Sequence, residues 1–532
     1  MKHNAWFIFL CIYFFCLFCY NEIYGSRGPS ITDERAFDRT MDNTTQKKDN
    51  GWIAALKFLP LAIFAALVIV FQLDMLLAAP IATFAAAVVY MITEKCNFEK
   101  AFSHGLNAAS NITIIFFILM FAYGLAECFM ATGVGASLIN FALAIGVTGR
   151  TIAPVAIFVT GLLSVATGSS WGTFAACAPI FLWLNHIVSG DVVLTLCAIA
   201  GGACFGNGIG MISDITILSC EQNNVRVIDR IKHQSVWSIA CFLIAIVIFY
   251  FAGLSCPNFR GDASSAISQI DPSLFDAWQV ERPSVWMLLR QVQADVPFYM
   301  ITPVLLVIVL SFSGCHTLLC LGAGMVSSLL LGLLAGTADV TSWLALLQSG
   351  FSNAGNWTVV MMMWVVAFGG IMNKMRAFDP LARLIVRLSG NVHHLMGWSG
   401  VLCFIGNMAL ADEAAQVATI APIVRNITET EVETESEDDA YTLRLKLATL
   451  SSSIGIYGSE LVPWHCFPVF FASIANAVYP NYTFTTFDII SKNYLSFIVI
   501  GSLFLLTFTG WDSFIPLFGL PKSAKLKKKN AK

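Results

Sequence analysis

The fold class read from the sequence is an all-α polytopic membrane protein made of two repeats, with broken or re-entrant helices in each. Composition is the first reason. Of 532 residues, 57% are hydrophobic, 13% aromatic and only 12% charged, against about 25% charged in soluble domains, and mean hydropathy is +0.73. The second reason is a series of apolar runs long enough to cross a bilayer. The third is an internal match. At a shift of 245, Gly105 to Thr113 aligns without a gap with Gly350 to Thr358, and Ala122-Tyr-Gly124 with Ala367-Phe-Gly369. At a shift of 243, Ser164 to Ile180 aligns with Asn407 to Ile423, both ending Ala-Pro-Ile.

The chain divides as follows. Ala5 to Tyr20 is an apolar run behind Lys2 and His3, shorter than a comfortable span. Residues 1–25 therefore read as a signal peptide or signal anchor, and 26–51 as a polar linker. The first repeat covers 52–254, with strong spans at 53–72, 75–93, 112–131 and 236–254. Weaker or broken spans fall at 134–148, 152–188 and 191–220, and Asp74 reads as an interfacial cap. A polar linker, 255–296, follows. The second repeat covers 297–512, with strong spans at 298–313, 316–335, 357–375 and 494–512. Its interrupted spans are 378–389, 396–424 and 447–478. Residues 429–439 hold seven acids and read as a solvated, flexible loop. The tail 513–532 carries six lysines and no acid in its last eleven residues, which predicts a cytoplasmic C-terminus. Fifteen cysteines lie mostly in apolar runs and read as small buried hydrophobes. Cys16-Leu-Phe-Cys19 has no partner pair and is not read as a metal site.

Four interruptions carry the chemistry. They are Thr167-Gly-Ser-Ser-Trp-Gly-Thr173, Gly201 to Thr216, Asn407-Met-Ala-Leu-Ala-Asp-Glu413 and Ser451 to Trp464. Within a bilayer, irregular backbone is tolerated only where protein or a water-lined cavity surrounds it, and paired interruptions in two repeats point to a transport site. Asp214, Asp412, Glu413 and Glu460 fall in or beside apolar runs, and no lysine or arginine lies within one helical turn of Asp214 or Asp412. A bound cation or a proton supplies the missing charge. Ser169, Ser170, Ser213, Thr216, Asn207 and Thr167 are the matching oxygen donors, with Na+ expected at Asp214 and Asp412. Asn407, Glu460, His465 and Glu127 are secondary candidates, although a packed, hydrogen-bonded role suits His465 and the repeat partner of Glu127 is Met372. Arg150, His393 and His394 read as headgroup anchors.

Other classes are disfavoured. Gly168-Ser-Ser-Trp-Gly172 matches G-x-S-x-G formally, but that motif needs a preceding strand, and none is legible. No P-loop is present. The net charge of -3 gives no reason to expect nucleic-acid binding. No enzyme activity and no cofactor are expected.

The four segments resemble the NhaC-type sodium/proton antiporter family. Ala166 to Thr173 is similar to its A-T-G-S/T-S-W-G-T, and Gly206 to Thr216 to its G-D-x-x-S-P-x-S-D-T-T. Asn407 to Asp412 resembles the N-M-x-x-x-D of the malate/lactate branch, and Leu461 to Trp464 its L-I-P-W. Asn207, Gly210-Met211, Ile215 and His465 to Pro468 depart from the family pattern. The resemblance implies inverted repeats, alternating access with an elevator-like moving domain, and Asp214 as a cation or proton carboxylate. The expected function is a secondary active cation/proton (Na+/H+) antiporter. The alternative is a Na+- or H+-coupled carrier of a small organic acid or amino acid. Expected partners are an inorganic cation and the proton, or such an organic substrate, with the lipid bilayer and a second copy of the chain. The expected location is multi-pass in the plasma (inner) membrane. With a cytoplasmic tail, inverted repeats of equal odd span count keep 26–50 cytoplasmic, which requires an uncleaved anchor or one extra crossing.

Overall fold

The computed structural model describes residues 51–527, apart from Gln72, Ile112, 211–212, 259–278, 280–282, Asp295, Gly314, 355–356, 376–377 and Lys522. The signal segment 1–25 and all of the polar linker before Gly51 lie outside the described residues. The described residues are helical nearly throughout. Four helices among the described residues are long and apolar enough to cross a membrane, and a bent pair, Phe116–Thr132 with Val134–Ala144 at 67°, makes a fifth span if counted as one. The protein is a multi-pass integral membrane protein.

One layer draws on both halves of the sequence. It holds α1 (Gly51–Ala65), α2 (Met75–Glu94), α3 (Phe98–Asn111), α4 (Thr113–Thr132) and α5 (Val134–Ala144). Asp74 caps α2, accepting from Leu76 N at 2.8 Å. The layer continues, after the site-bearing helices described next, with helices from the second half of the chain. Those site-bearing helices begin with α6 (Ile152–Thr167), α7 (Ser170–Ile187), α8 (Val192–Ile209), α9 (Asp214–Asn223) and α10 (Val227–Ala252). Next in the chain come α11 (Pro283–Gln293), α12 (Thr302–Phe312), α13 (Thr317–Ala335), α14 (Val340–Ala354), α15 (Trp357–Lys374) and α16 (Asp379–Leu388). In the first layer α2 and α3 pack on α15, and α4 packs on α13 and α14. The second set is completed by α17 (Val392–Leu410), α18 (Glu413–Glu431), α19 (Glu437–Ser459), α20 (Cys466–Val478), α21 (Thr486–Ser491) and α22 (Tyr494–Thr509).

Two segments that the sequence reading left unassigned are helical, and two others differ from their reading. The polar stretches around 98–111 and 340–354 are helices, because their apolar residues fall on one face and cover α15 and α4. The linker 255–296 contains α11, whose Val285, Leu288, Leu289 and Val292 are buried beside α4 and α5. The acidic run 429–439 is a loop only briefly. The helix α18 continues to Glu431, a strand β1 (Val432–Glu433) follows, and Ser436 caps α19 with Glu437, Asp438 and Asp439 in its first turn. Acids there face the positive end of the helix dipole, so their charge favours helix. The basic tail folds back: β2 (Lys525–Leu526) pairs antiparallel with β1.

Close packing on α8 fixes the first site-bearing hairpin. A Cβ on Gly202 would lie 1.9 Å from Thr160 Oγ1, and one on Gly206 would lie 2.0 Å from Val165 N. This small-xxx-small pair lets α8 lie directly on α6, where Ser164 Oγ donates to the carbonyl of Ala203. The halves then exchange helices. On α7, Trp171 meets Phe467 of α20 edge-on at 4.8 Å and Phe174 stacks on Phe471 at 4.2 Å. Trp183 Nε1 donates to Val478 O at 2.8 Å. Reciprocally, α9 packs on α18 and α19.

Candidate functional site

Both hairpins break in the same way. The helix α6 ends at Gly168, whose φ of 65° is left-handed, and Ser169 then returns to extended backbone as the N-cap of α7. The helix α17 ends at Ala411 with φ 53°, and Asp412 caps α18. The matching extends to single hydrogen bonds. Gly168 N donates to Ser164 O at 2.8 Å, as Ala411 N does to Asn407 O at 2.9 Å. Thr173 N donates to Ser169 O, as Gln416 N does to Asp412 O. Every pair is 243 residues apart. Gly168-Ser-Ser-Trp-Gly172 therefore follows a helix rather than a strand, unlike a nucleophile elbow.

The second break gathers carboxyl groups. Asp412 is 7% exposed and accepts from Ala415 N at 2.7 Å. Glu413 opens α18 and is buried. Glu460 is fully buried at the end of α19 and accepts from Ser496 Oγ at the start of α22. Neither Asp412 nor Glu460 pairs with a lysine, arginine or histidine among the described residues. The Cys204 thiol of α8 lies by Ser170 of α7 and Glu460 at the end of α19, and α8 packs on α19. Around them Ser170 Oγ, both amide atoms of Gln416, Ser453 Oγ, Tyr457 Oη and Glu460 Oε1 are buried without a hydrogen-bond partner among the described residues.

Asn407 and His465 belong to the frame of this site. Asn407 Nδ2 donates to Ile454 O at 3.0 Å and to Ser459 Oγ at 3.1 Å, tying α17 to α19. His465 accepts at Nδ1 from Phe467 N, 3.3 Å away, as the cap of α20. Its Nε2 therefore carries the proton and donates to Ser459 Oγ at 2.9 Å. Trp464 Nε1 occupies the carbonyl of Met408 at 2.7 Å, and Cys466 N donates to Ala411 O at 3.3 Å.

The first-repeat oxygens are organised differently. Ser213 caps α9 and donates to Asn207 Oδ1 at 2.6 Å. Thr216 Oγ1 donates to Asn207 O at 3.3 Å and accepts from Arg230 Nη1 at 2.8 Å. Arg230 was not a candidate from sequence. It lies before the apolar part of its span, sixteen positions after Asp214, and only the fold of α10 against α9 brings it in. Gln416 was also missed; its signal is its place three residues after Glu413 on α18. Asp214 begins α9 and Thr167 ends α6, but their side chains lie outside the described residues. Glu127 is buried on α4, in the layer behind α7, rather than with the breaks. Among the described residues no three His, Cys, Asp or Glu side chains converge as a metal centre; the donors present are the hard oxygens that suit an alkali cation or a proton.

The geometry agrees with sequence comparison. The model of the Na+/H+ antiporter family matches residues 50–254 and again 202–511. The Na+/H+ antiporter NhaC of Alkalihalophilus pseudofirmus is 22% identical over 379 residues, covering 67% of this chain and 75% of that protein. The malate-2H+/Na+-lactate antiporter of Bacillus subtilis is 21% identical over 473 residues, covering 85% of this chain and 93% of the relative. The Na+/H+ antiporter NhaC of Bacillus subtilis is 24% identical over 252 residues, covering 44% and 51%. With two matched stretches that together span nearly all of the described residues, the chain belongs to the Na+/H+ antiporter family.

Proposed function

We propose that the protein is a secondary active antiporter exchanging Na+ for protons by alternating access, and is not an enzyme. The observation that carries this reading is the buried carboxyl of Asp412 at the second break, without an ion-pair partner among the described residues. A carboxylate in that position is costly unless neutralised. A proton neutralises it, and so does a cation held together with Glu413 and the oxygens of Ser170 and Gln416. The two loads are mutually exclusive at one carboxyl, which is the essential coupling of an antiporter. The protein operates in a plasma (inner) membrane with its lysine-rich tail on the cytoplasmic side.

The test is proton movement in proteoliposomes carrying an internal pH dye. A Na+ gradient alone should move protons with the wild-type chain, and Asp412→Asn should abolish that signal while inserting normally. Undiminished exchange by the variant would sink the reading. A coupled carrier of a small organic acid is the second reading, favoured by the likeness to a malate/lactate antiporter across most of both chains. Such a carrier stays silent under a Na+ gradient until an organic acid is added.

A further inference from the structure

The break between α8 and α9 and the break at Asp412 use their oxygens differently. At the Asp412 break, both amide atoms of Gln416 are without partners among the described residues. At the α8–α9 break the described Gly208, Asn207 and Thr216 oxygens are already engaged, while Gln234 Oε1 and Tyr457 Oη beside them are not. The Gly208 carbonyl, at the negative end of α8, accepts from Arg230 Nη1 at 2.9 Å and from Gln234 Nε2 at 2.8 Å. Two donors use both lone pairs of a carbonyl oxygen. Asn207 Oδ1 accepts from Ser213, and Thr216 Oγ1 accepts from Arg230. The second terminal nitrogen of Arg230 reaches Ser452 Oγ on α19. The guanidinium is fully buried and, among the described residues, forms no ion pair with a carboxylate.

We propose that Arg230 is a resident cation, occupying at the break between α8 and α9 the place that a transported ion would otherwise take. It thereby limits the protein to one bound cation per chain, held at the Asp412 break. Arginine suits the task because its charge is permanent and its fork donates in several directions at once. Its charge also repels a mobile cation brought within a few ångströms, weakening that binding by orders of magnitude in a low-dielectric interior. The proposal rests on the antiport reading and adds the stoichiometry and its cause.

The experiment is equilibrium binding of radioactive Na+ to the purified full-length chain, alongside Na+-driven proton movement in proteoliposomes. The wild-type chain should bind one Na+ with a Hill coefficient near one. Arg230→Gln, which frees the Gly208 and Thr216 oxygens of the charge, should bind two, and Arg230→Lys should remain at one. Two ions on the wild-type chain overturn the inference, whether or not any variant folds. So does an Arg230→Gln chain that still exchanges Na+ but holds only one. A wild-type chain that binds no Na+ and moves no protons overturns the antiport reading, and this inference with it.

Discussion

Ser169 and Asp412 are the same structural position in two copies. Each follows a left-handed residue, each is extended, and each caps the next helix by accepting from a backbone N–H three residues on, at 3.3 Å from Gly172 and 2.7 Å from Ala415. One copy carries a neutral hydroxyl and the other a carboxyl, so shared geometry has been given unequal charge.

That inequality separates capping from transport. Asparagine caps helices as well as aspartate. Asp412→Asn should therefore keep its thermal stability while losing at least tenfold in Na+-driven proton movement. Asp412→Ala should lose both, with a stability cost of about 1 kcal/mol for the cap. Ser169→Ala should show that cost with smaller loss of exchange. Equal loss of exchange in Asp412→Asn and Ser169→Ala would show that the carboxyl charge is not what matters.

The left-handed residues make a second pair of expectations. Ala411 holds φ 53° with a Cβ, whereas Gly168 holds φ 65° without one. A side chain in this region costs roughly 1–2 kcal/mol. Ala411→Gly should then raise the melting temperature of the detergent-solubilised protein, and Gly168→Ala should lower it. The opposite pattern would refute the assigned backbone.

The contact of α6 with α8 should be the least tolerant of added volume. A Cβ on Gly206 would meet the backbone nitrogen of Val165 at 2.0 Å, and no rotamer relieves a clash with main chain. Gly206→Val should destabilise by about 3 kcal/mol or more, read as loss of monodisperse protein on size-exclusion chromatography. A variant at Gly336, where an added Cβ meets nothing within 4 Å, provides the comparison, with its positive φ of 69° as the remaining cost.

Lys446 and Asp512 form an ion pair at 2.9 Å, both side chains fully buried. The ammonium also lies 3.6 Å from the Phe518 ring centre and donates to the Phe518 carbonyl. Removing one charge strands the other, so Lys446→Met alone should cost about 3–5 kcal/mol. Lys446→Met with Asp512→Leu should recover most of it, because replacing both charges removes two desolvation penalties. Additive losses in the double variant would contradict this account.

The sequence alone determined that the chain is helical and membrane-embedded, because hydrophobicity over twenty residues is a local property. It also determined the two breaks and their register, since the shift of 243 that aligned Ser169 with Asp412 is the one their hydrogen bonds obey. Amphipathic helices such as 98–111 escaped it, because their apolar faces become meaningful only against α15. The exchange of α20 and α9 between the halves was equally out of reach, being a contact between segments hundreds of residues apart. Asp412, Glu413 and Glu460 were legible as acids in apolar surroundings. Which oxygens remain available to an ion was not. Arg230 takes up the Gly208 and Thr216 oxygens between α8 and α9 from a different helix, and only tertiary structure decides where a long, charged side chain ends.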